Sequence, residues 1–201
     1  MKVFCIGFQK TGTSTLDRAL KTLGLSVAGY HPFRPFAADP DVTFAKLWQA
    51  ARPIAHAHDA VQDTPWPLLY RELHREFPDA RFIHVVRDEQ SWIKSAARDF
   101  RKHRNEIHRL IYGTENPLGN ENAWVARYRR HNRDVADYFK RRPDQYLRIE
   151  LEGPDYGWPA ICDFLGQPVP QAPWPHANKA GTKERKALLR RNLARLKRLF
   201  T

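Results

Sequence analysis

The sequence predicts a three-layer α/β domain in which a central parallel sheet of about five strands carries helices on both faces. An apolar run, Val3 to Phe8, is stopped by a glycine-containing loop and followed by a helical stripe. A second, stronger run, Phe82-Ile83-His84-Val85-Val86, leads directly into another helical segment. The remaining strand and helix signals alternate along the chain, which builds βαβ units rather than hairpins.

Val3 to Phe8 is apolar without alternation, as expected of a strand buried on both faces of a parallel sheet. Leu16, Ala19, Leu20 and Leu23 then recur at helical spacing and Gly24 closes the helix. Ala60-Val61-Gln62 is a short strand, and Trp66, Leu69, Tyr70, Leu73 and Phe77 form a helical stripe ahead of the Phe82 strand. A helix starts at about Asp88. Val125, Tyr128, Val135 and Phe139 share one face of a long helix, and Leu147, Ile149 and Leu151 alternate with Arg148 and Glu150 in a further strand. Four prolines from Pro168 to Pro175 exclude regular helix, after which Lys183 to Phe200 reads as a basic helix. Its Leu189, Leu193, Leu196 and Phe200 are expected to dock on the parent domain. Residues 101 to 123 lack a clear period and read as an insertion covering the site.

At 201 residues the chain has the size of one domain, here taken as 1–201. Its 34 Lys and Arg against 22 Asp and Glu, a net charge of +12, favour an anionic partner without naming the chemistry. Two cysteines, Cys5 and Cys162, have neither a disulfide framework nor metal-ligand spacing, so both read as buried thiols. The first apolar run is too short for a secretory core or a membrane span, which predicts a cytoplasmic chain with no transmembrane segment.

The chemistry is concentrated in Gln9-Lys10-Thr11-Gly12-Thr13-Ser14-Thr15, between the first strand and the first helix. A helix N-terminus presents unpaired N–H groups and a partial positive charge, so a turn placed there can cradle phosphate or sulfate. Gly12 lets the backbone approach the anion; Thr11, Thr13, Ser14 and Thr15 add hydroxyls; Lys10 adds a full charge. The nucleotide triphosphatase pattern requires Lys after its second glycine, where Thr13 stands here, so ordinary ATP hydrolysis with magnesium is disfavoured.

In this loop the chain resembles the sulfotransferase family, whose phosphosulfate loop has Lys, Ser or Thr, Gly, Thr and further hydroxyls between the first strand and helix of a P-loop-type fold. A second family motif places Arg at a strand end and Ser eight residues later, both on the 3'-phosphate; Arg87 and Ser95 match it. Glu89-Gln90-Ser91-Trp92, Trp158 to Gly166 and Pro173 to Asn178 look like a small, mainly bacterial-type branch. The resemblance implies 3'-phosphoadenosine 5'-phosphosulfate (PAPS) as donor, adenosine 3',5'-bisphosphate as product, and no metal. It implies a small-molecule, glycan or lipid acceptor; nucleic acid is not the expected partner.

Cytosolic-type members carry a His base at the end of the strand preceding the Arg strand, two residues before Pro. Asp63-Thr64-Pro65 occupies that place, 24 residues before Arg87, so Asp63 is the candidate base. An Asp capping the helix that begins at Pro65 or Trp66 is the structural alternative. His31, His56 and His58 are the other candidates. Lys10 would stabilise charge on the bridging and leaving oxygens. Two rival functions stand beside sulfuryl transfer: a nucleotide or small-molecule kinase with a degenerate loop, and a non-catalytic basic nucleotide- or nucleic-acid-binding module.

Overall fold

The computed structural model describes residues 1–101 and 104–176. Its sheet has the order β2-β3-β1-β4-β5 with every pair parallel. The strands are β1 (Val3–Cys5), β2 (Val27–Ala28), β3 (Ala60–Val61), β4 (Arg81–Val86) and β5 (Tyr146–Glu150). Helices α1 (Thr13–Thr22), α2 (Phe44–Ala57), α3 (Tyr70–Glu76), α4 (Glu89–Phe100), α5 (Glu106–Tyr112), α6 (Glu121–Phe139) and α7 (Trp158–Leu165) connect and follow them.

Side chains alternate across the sheet, so β1 feeds two cores. Phe4 and Ile6 join the larger one with Leu47 of α2, Leu73 of α3, Trp92 of α4 and Tyr128 of α6. Val3 and Cys5 join Leu16 and Leu20 of α1 and Ile161 and Leu165 of α7 on the other face. Helices on both faces make the three layers that the alternating pattern predicts. Cys5 and Cys162 are buried free thiols, and burial raises both thiol pKa values. Among the described residues no helix is long and apolar enough to cross a membrane.

Several elements differ from the periodic reading. β1 ends at Cys5 although Ile6 and Phe8 remain buried, because beyond it the chain turns into the loop. The stripe from Trp66 to Phe77 divides into a 3-10 turn (Trp66–Leu69) and the seven-residue α3. Residues 31 to 58 form a 3-10 segment (His31–Ala38) and α2, whose start is capped by Thr43 Oγ1 accepting from Lys46 N at 3.2 Å. The aperiodic stretch 101 to 123 contains α5, with Asn105 Oδ1 accepting from Ile107 N and Gly113 in a left-handed C-cap at φ 77°. Seven residues are too few to display a helical stripe. The basic helix expected over 183 to 200 lies outside the described residues.

Parallel strands place all their carboxyl ends on one edge. β1 sits where the strand order reverses, with β3 on one side and β4 on the other, and the crevice at such a switch point is where open α/β sheets bind ligands. The loop after β1, Asp63 after β3 and Arg87 after β4 therefore share one edge of the sheet.

Candidate active site

The loop is threaded where only glycine fits. A Cβ on Gly7 would lie 2.3 Å from the Val85 carbonyl oxygen of the adjacent strand. Gly12 has φ 87°, and a Cβ there would lie 2.5 Å from Leu151 Cδ1 and 2.7 Å from the Tyr156 hydroxyl, which donates to Gly12 O at 3.2 Å. The N–H groups of Thr15 and Leu16 close the first turn of α1 on Gly12 O at 2.9 and 3.1 Å. Gly12 and Thr13 thus lead with amides that precede the helical ladder, and no acidic residue in the first turn of α1 opposes an anion there. Thr11 is turned inward, its hydroxyl donating to Phe8 O at 2.6 Å, whereas Ser14 is exposed.

Side chains from distant elements hold this loop in place. Trp92 Nε1 donates to Gln9 O at 2.9 Å, and the Gln9 side chain bridges Tyr112 OH at 2.6 Å and Thr64 Oγ1 at 3.1 Å. Gln9 thereby ties the loop to α5 and to the segment after β3. His131 of α6 donates from Nε2 to Ile6 O at 2.8 Å and stacks on Phe8 at 4.1 Å. Burial holds the His131 pKa well below the usual range, so the ring is a neutral strut. The bracing roles of Gln9 and His131 have no local signal; they arise from residues 103 and 125 positions away.

The Lys10 ammonium is ion-paired with Asp99 of α4 and lies 6.0 Å from the Phe100 ring centroid. Arg87 follows β4, and the Tyr128 hydroxyl fastens its backbone, accepting from Arg87 N at 2.8 Å and donating to Arg87 O at 3.0 Å. Its guanidinium reaches Glu152 Oε1 at 3.1 and 2.9 Å from Nε and Nη2. Asp88 caps α4 by accepting from Ser91 N at 2.8 Å, and that bond lowers the Asp88 pKa. Ser95 lies buried on α4, two turns beyond Arg87.

Asp63 follows β3 with φ 70°, and its Oδ1 accepts from Thr64 N at 2.8 Å. The alternative helix cap does not form: Trp66 N donates to the Asp63 carbonyl at 3.0 Å and the 3-10 turn has no side-chain cap. Burial raises the Tyr112 and Tyr30 phenols, and the nearby Asp63 carboxylate raises them further. Lys10, φ 72°, and Asp63 are the non-glycine residues with positive φ among those described. A lysine in that region costs about 1 kcal/mol or more, and such strain persists where surrounding structure imposes it.

The histidine alternatives separate. His31 opens the 3-10 segment after β2 and is exposed. His56 and His58 end α2 ahead of β3, at the opposite edge of the sheet, where Lys2 Nζ donates to both carbonyls at 2.8 and 2.6 Å. His56 there also bonds Glu76. Among the described residues no group of three His, Cys, Asp or Glu converges as a metal site.

Known proteins resemble this chain in sequence and in fold. The model of the sulfotransferase domain matches residues 2–118 and 97–183. The Ava biosynthesis cluster protein M of Aspergillus versicolor is 27% identical over 222 residues, covering 88% of this chain and 80% of the relative. A crystal structure of a sulfotransferase from Alicyclobacillus acidocaldarius superposes with a TM-score of 0.55 at 20% identity, covering 98% of this chain and 94% of that one, a likeness of fold. On the family match, which extends over most of its length, the chain belongs to the sulfotransferase domain family.

Proposed function

We propose that the chain, as one domain, moves a sulfuryl group from PAPS to a hydroxyl or amine of a small-molecule, glycan or lipid acceptor by in-line displacement, releasing adenosine 3',5'-bisphosphate. The observation that supports this most is the loop itself: a left-handed Lys10 two residues before a Gly12 whose Cβ space is filled, at the N-terminus of α1. A backbone that admits no side chain but leads with amides suits sulfate or phosphate oxygens.

In this reading the Thr11, Gly12 and Thr13 amides and the hydroxyls of Thr13, Ser14 and Thr15 hold the 5'-phosphosulfate, while the Thr11 hydroxyl braces the loop on Phe8 O. The Lys10 ammonium neutralises charge that develops on the bridging oxygen. Arg87 and Ser95 take the 3'-phosphate, the guanidinium by paired charge-assisted bonds. Asp63, across the loop from α4, accepts the acceptor's proton as its oxygen or nitrogen attacks sulfur. The donor supplies the sulfuryl group and its leaving phosphate; the chain supplies position and charge.

Calorimetry tests the reading. Tight binding of adenosine 3',5'-bisphosphate without magnesium, followed by transfer from labelled PAPS in a screen of phenols, alcohols, amines, lipids and sugars, is the expected result. Preference for magnesium-ATP would identify a kinase instead. Salt-sensitive binding of DNA or RNA with none of the bisphosphate would identify a nucleic-acid-binding module.

A further inference from the structure

The lysine that this reaction needs is already occupied. Lys10 and Asp99 form an ion pair whose side chains are 18% and 19% exposed, so water screens it only in part. Asp99 lies one helical turn beyond Ser95, on the same face of α4. That face also carries Trp92, whose indole donates to Gln9 O. One helix therefore grips consecutive loop residues, Gln9 by its backbone and Lys10 by its charge.

Resting on the sulfotransferase reading, we propose that Asp99 is a positioning residue: a counter-ion that holds Lys10 until the donor's 5'-anion takes its place. A carboxylate and a phosphosulfate are both anions competing for one ammonium, and breaking the pair subtracts from donor affinity. Asp99 is not stranded when Lys10 leaves, because Arg98 Nε lies 3.8 Å from its other oxygen. The Arg87–Glu152 pair at the 3'-phosphate end has the same polarity, but Glu152 is 56% exposed and its competition is correspondingly screened. The device discriminates at the 5' end, where a ligand without a strong anion leaves the Lys10–Asp99 pair intact.

The test is calorimetric titration of the full chain with adenosine 3',5'-bisphosphate and with 3'-AMP, for wild type, Asp99→Asn, Asp99→Ala, Lys10→Ala and Lys10→Ala/Asp99→Asn. Thermal melts accompany each variant, and the two Asp99 replacements guard against one failing to fold. Asp99→Asn should tighten the bisphosphate by about tenfold, equivalent to about 1.4 kcal/mol. Its effect on 3'-AMP should stay within about twofold, since that ligand lacks the competing 5'-anion. In the Lys10→Ala background the gain should vanish, which separates a specific pair from the general effect of removing one negative charge. Unchanged or weaker bisphosphate binding by Asp99→Asn, or an equal gain without Lys10, would overturn the proposal. A wild-type chain that binds no bisphosphate would overturn the sulfotransferase reading instead.

Discussion

Acidification should destabilise this protein through two buried histidines before its carboxylates titrate. His84 is fully buried in the middle of β4, with Nδ1 against Tyr146 OH at 2.7 Å and Nε2 against Asn132 Oδ1 at 3.1 Å. Burial lowers its pKa to about 4, and the Arg148 charge works in the same direction against the Asn132 bond. His131, 5.6 Å away ring to ring, is lowered by burial and by His84. Above pH 6.5 both histidines are neutral folded or unfolded, and their share of stability is constant. Below 6.5 the unfolded chain takes up protons that the folded one refuses, so stability falls until the folded pKa is reached. For His84 that interval is about 2.5 pH units, or about 3 kcal/mol lost by pH 4; His131 adds to the loss. This is a large part of the roughly 5–15 kcal/mol of a typical domain. Carboxylates held low, such as Asp88 and Glu89, withdraw their contribution only as pH falls below their unfolded values near 4, so the window from 6.5 to 4.5 belongs to histidine. The assay is urea unfolding at half-unit steps of pH for wild type and His84→Gln, whose slope should be shallower by up to about 1.4 kcal/mol per pH unit. A wild-type unfolding free energy that stays flat from pH 7 to 4.5 would refute the reasoning.

Lys10→Ala should reduce turnover with any established acceptor by several orders of magnitude while bisphosphate binding falls far less, since the lost charge acts chiefly in the transition state; near wild-type turnover would remove Lys10 from catalysis. Arg87→Ala should weaken adenosine 3',5'-bisphosphate by about 1.5–3 kcal/mol and leave 5'-AMP nearly unchanged, and equal weakening of both would make Arg87 structural. Asp63→Asn should keep the fold, because Asn also tolerates the left-handed backbone and can accept from Thr64 N, yet it should lower turnover sharply and abolish the acidic limb of kcat against pH. Unchanged turnover and profile would send the search for a base to His31, which shares this edge of the sheet.

The strand ends carried most of what could be read without coordinates. Gly7, Lys10, Gly12 and the hydroxyls around them form a contiguous loop whose proposed anion-binding role rests on local chemistry, and Arg87 and Ser95 lie within one strand-to-helix unit. Asp63 was legible as a strand-end acid, but whether it capped the next helix was not, because Thr64 N and Trp66 N were both in reach and only the turn's geometry chose between them. His56 and His58 are close to Asp63 in sequence yet lie at the other end of β3; sequence distance along a short strand does not reveal which edge a residue faces.

By itself the sequence determined the layered α/β architecture and the place of the glycine-containing loop between the first strand and the first helix, because apolar periodicity and short-range motifs are properties of neighbouring residues. Only the tertiary structure decided which groups support that loop: Trp92, Tyr112, Thr64 and His131 converge on Ile6 to Gln9 from four separate segments. It also decided that Lys10 meets Asp99, a pair 89 residues apart. Such partners are chosen by the packing of helices on a sheet, where burial makes each unpaired polar group costly enough to demand a partner and nothing local in the chain records which one.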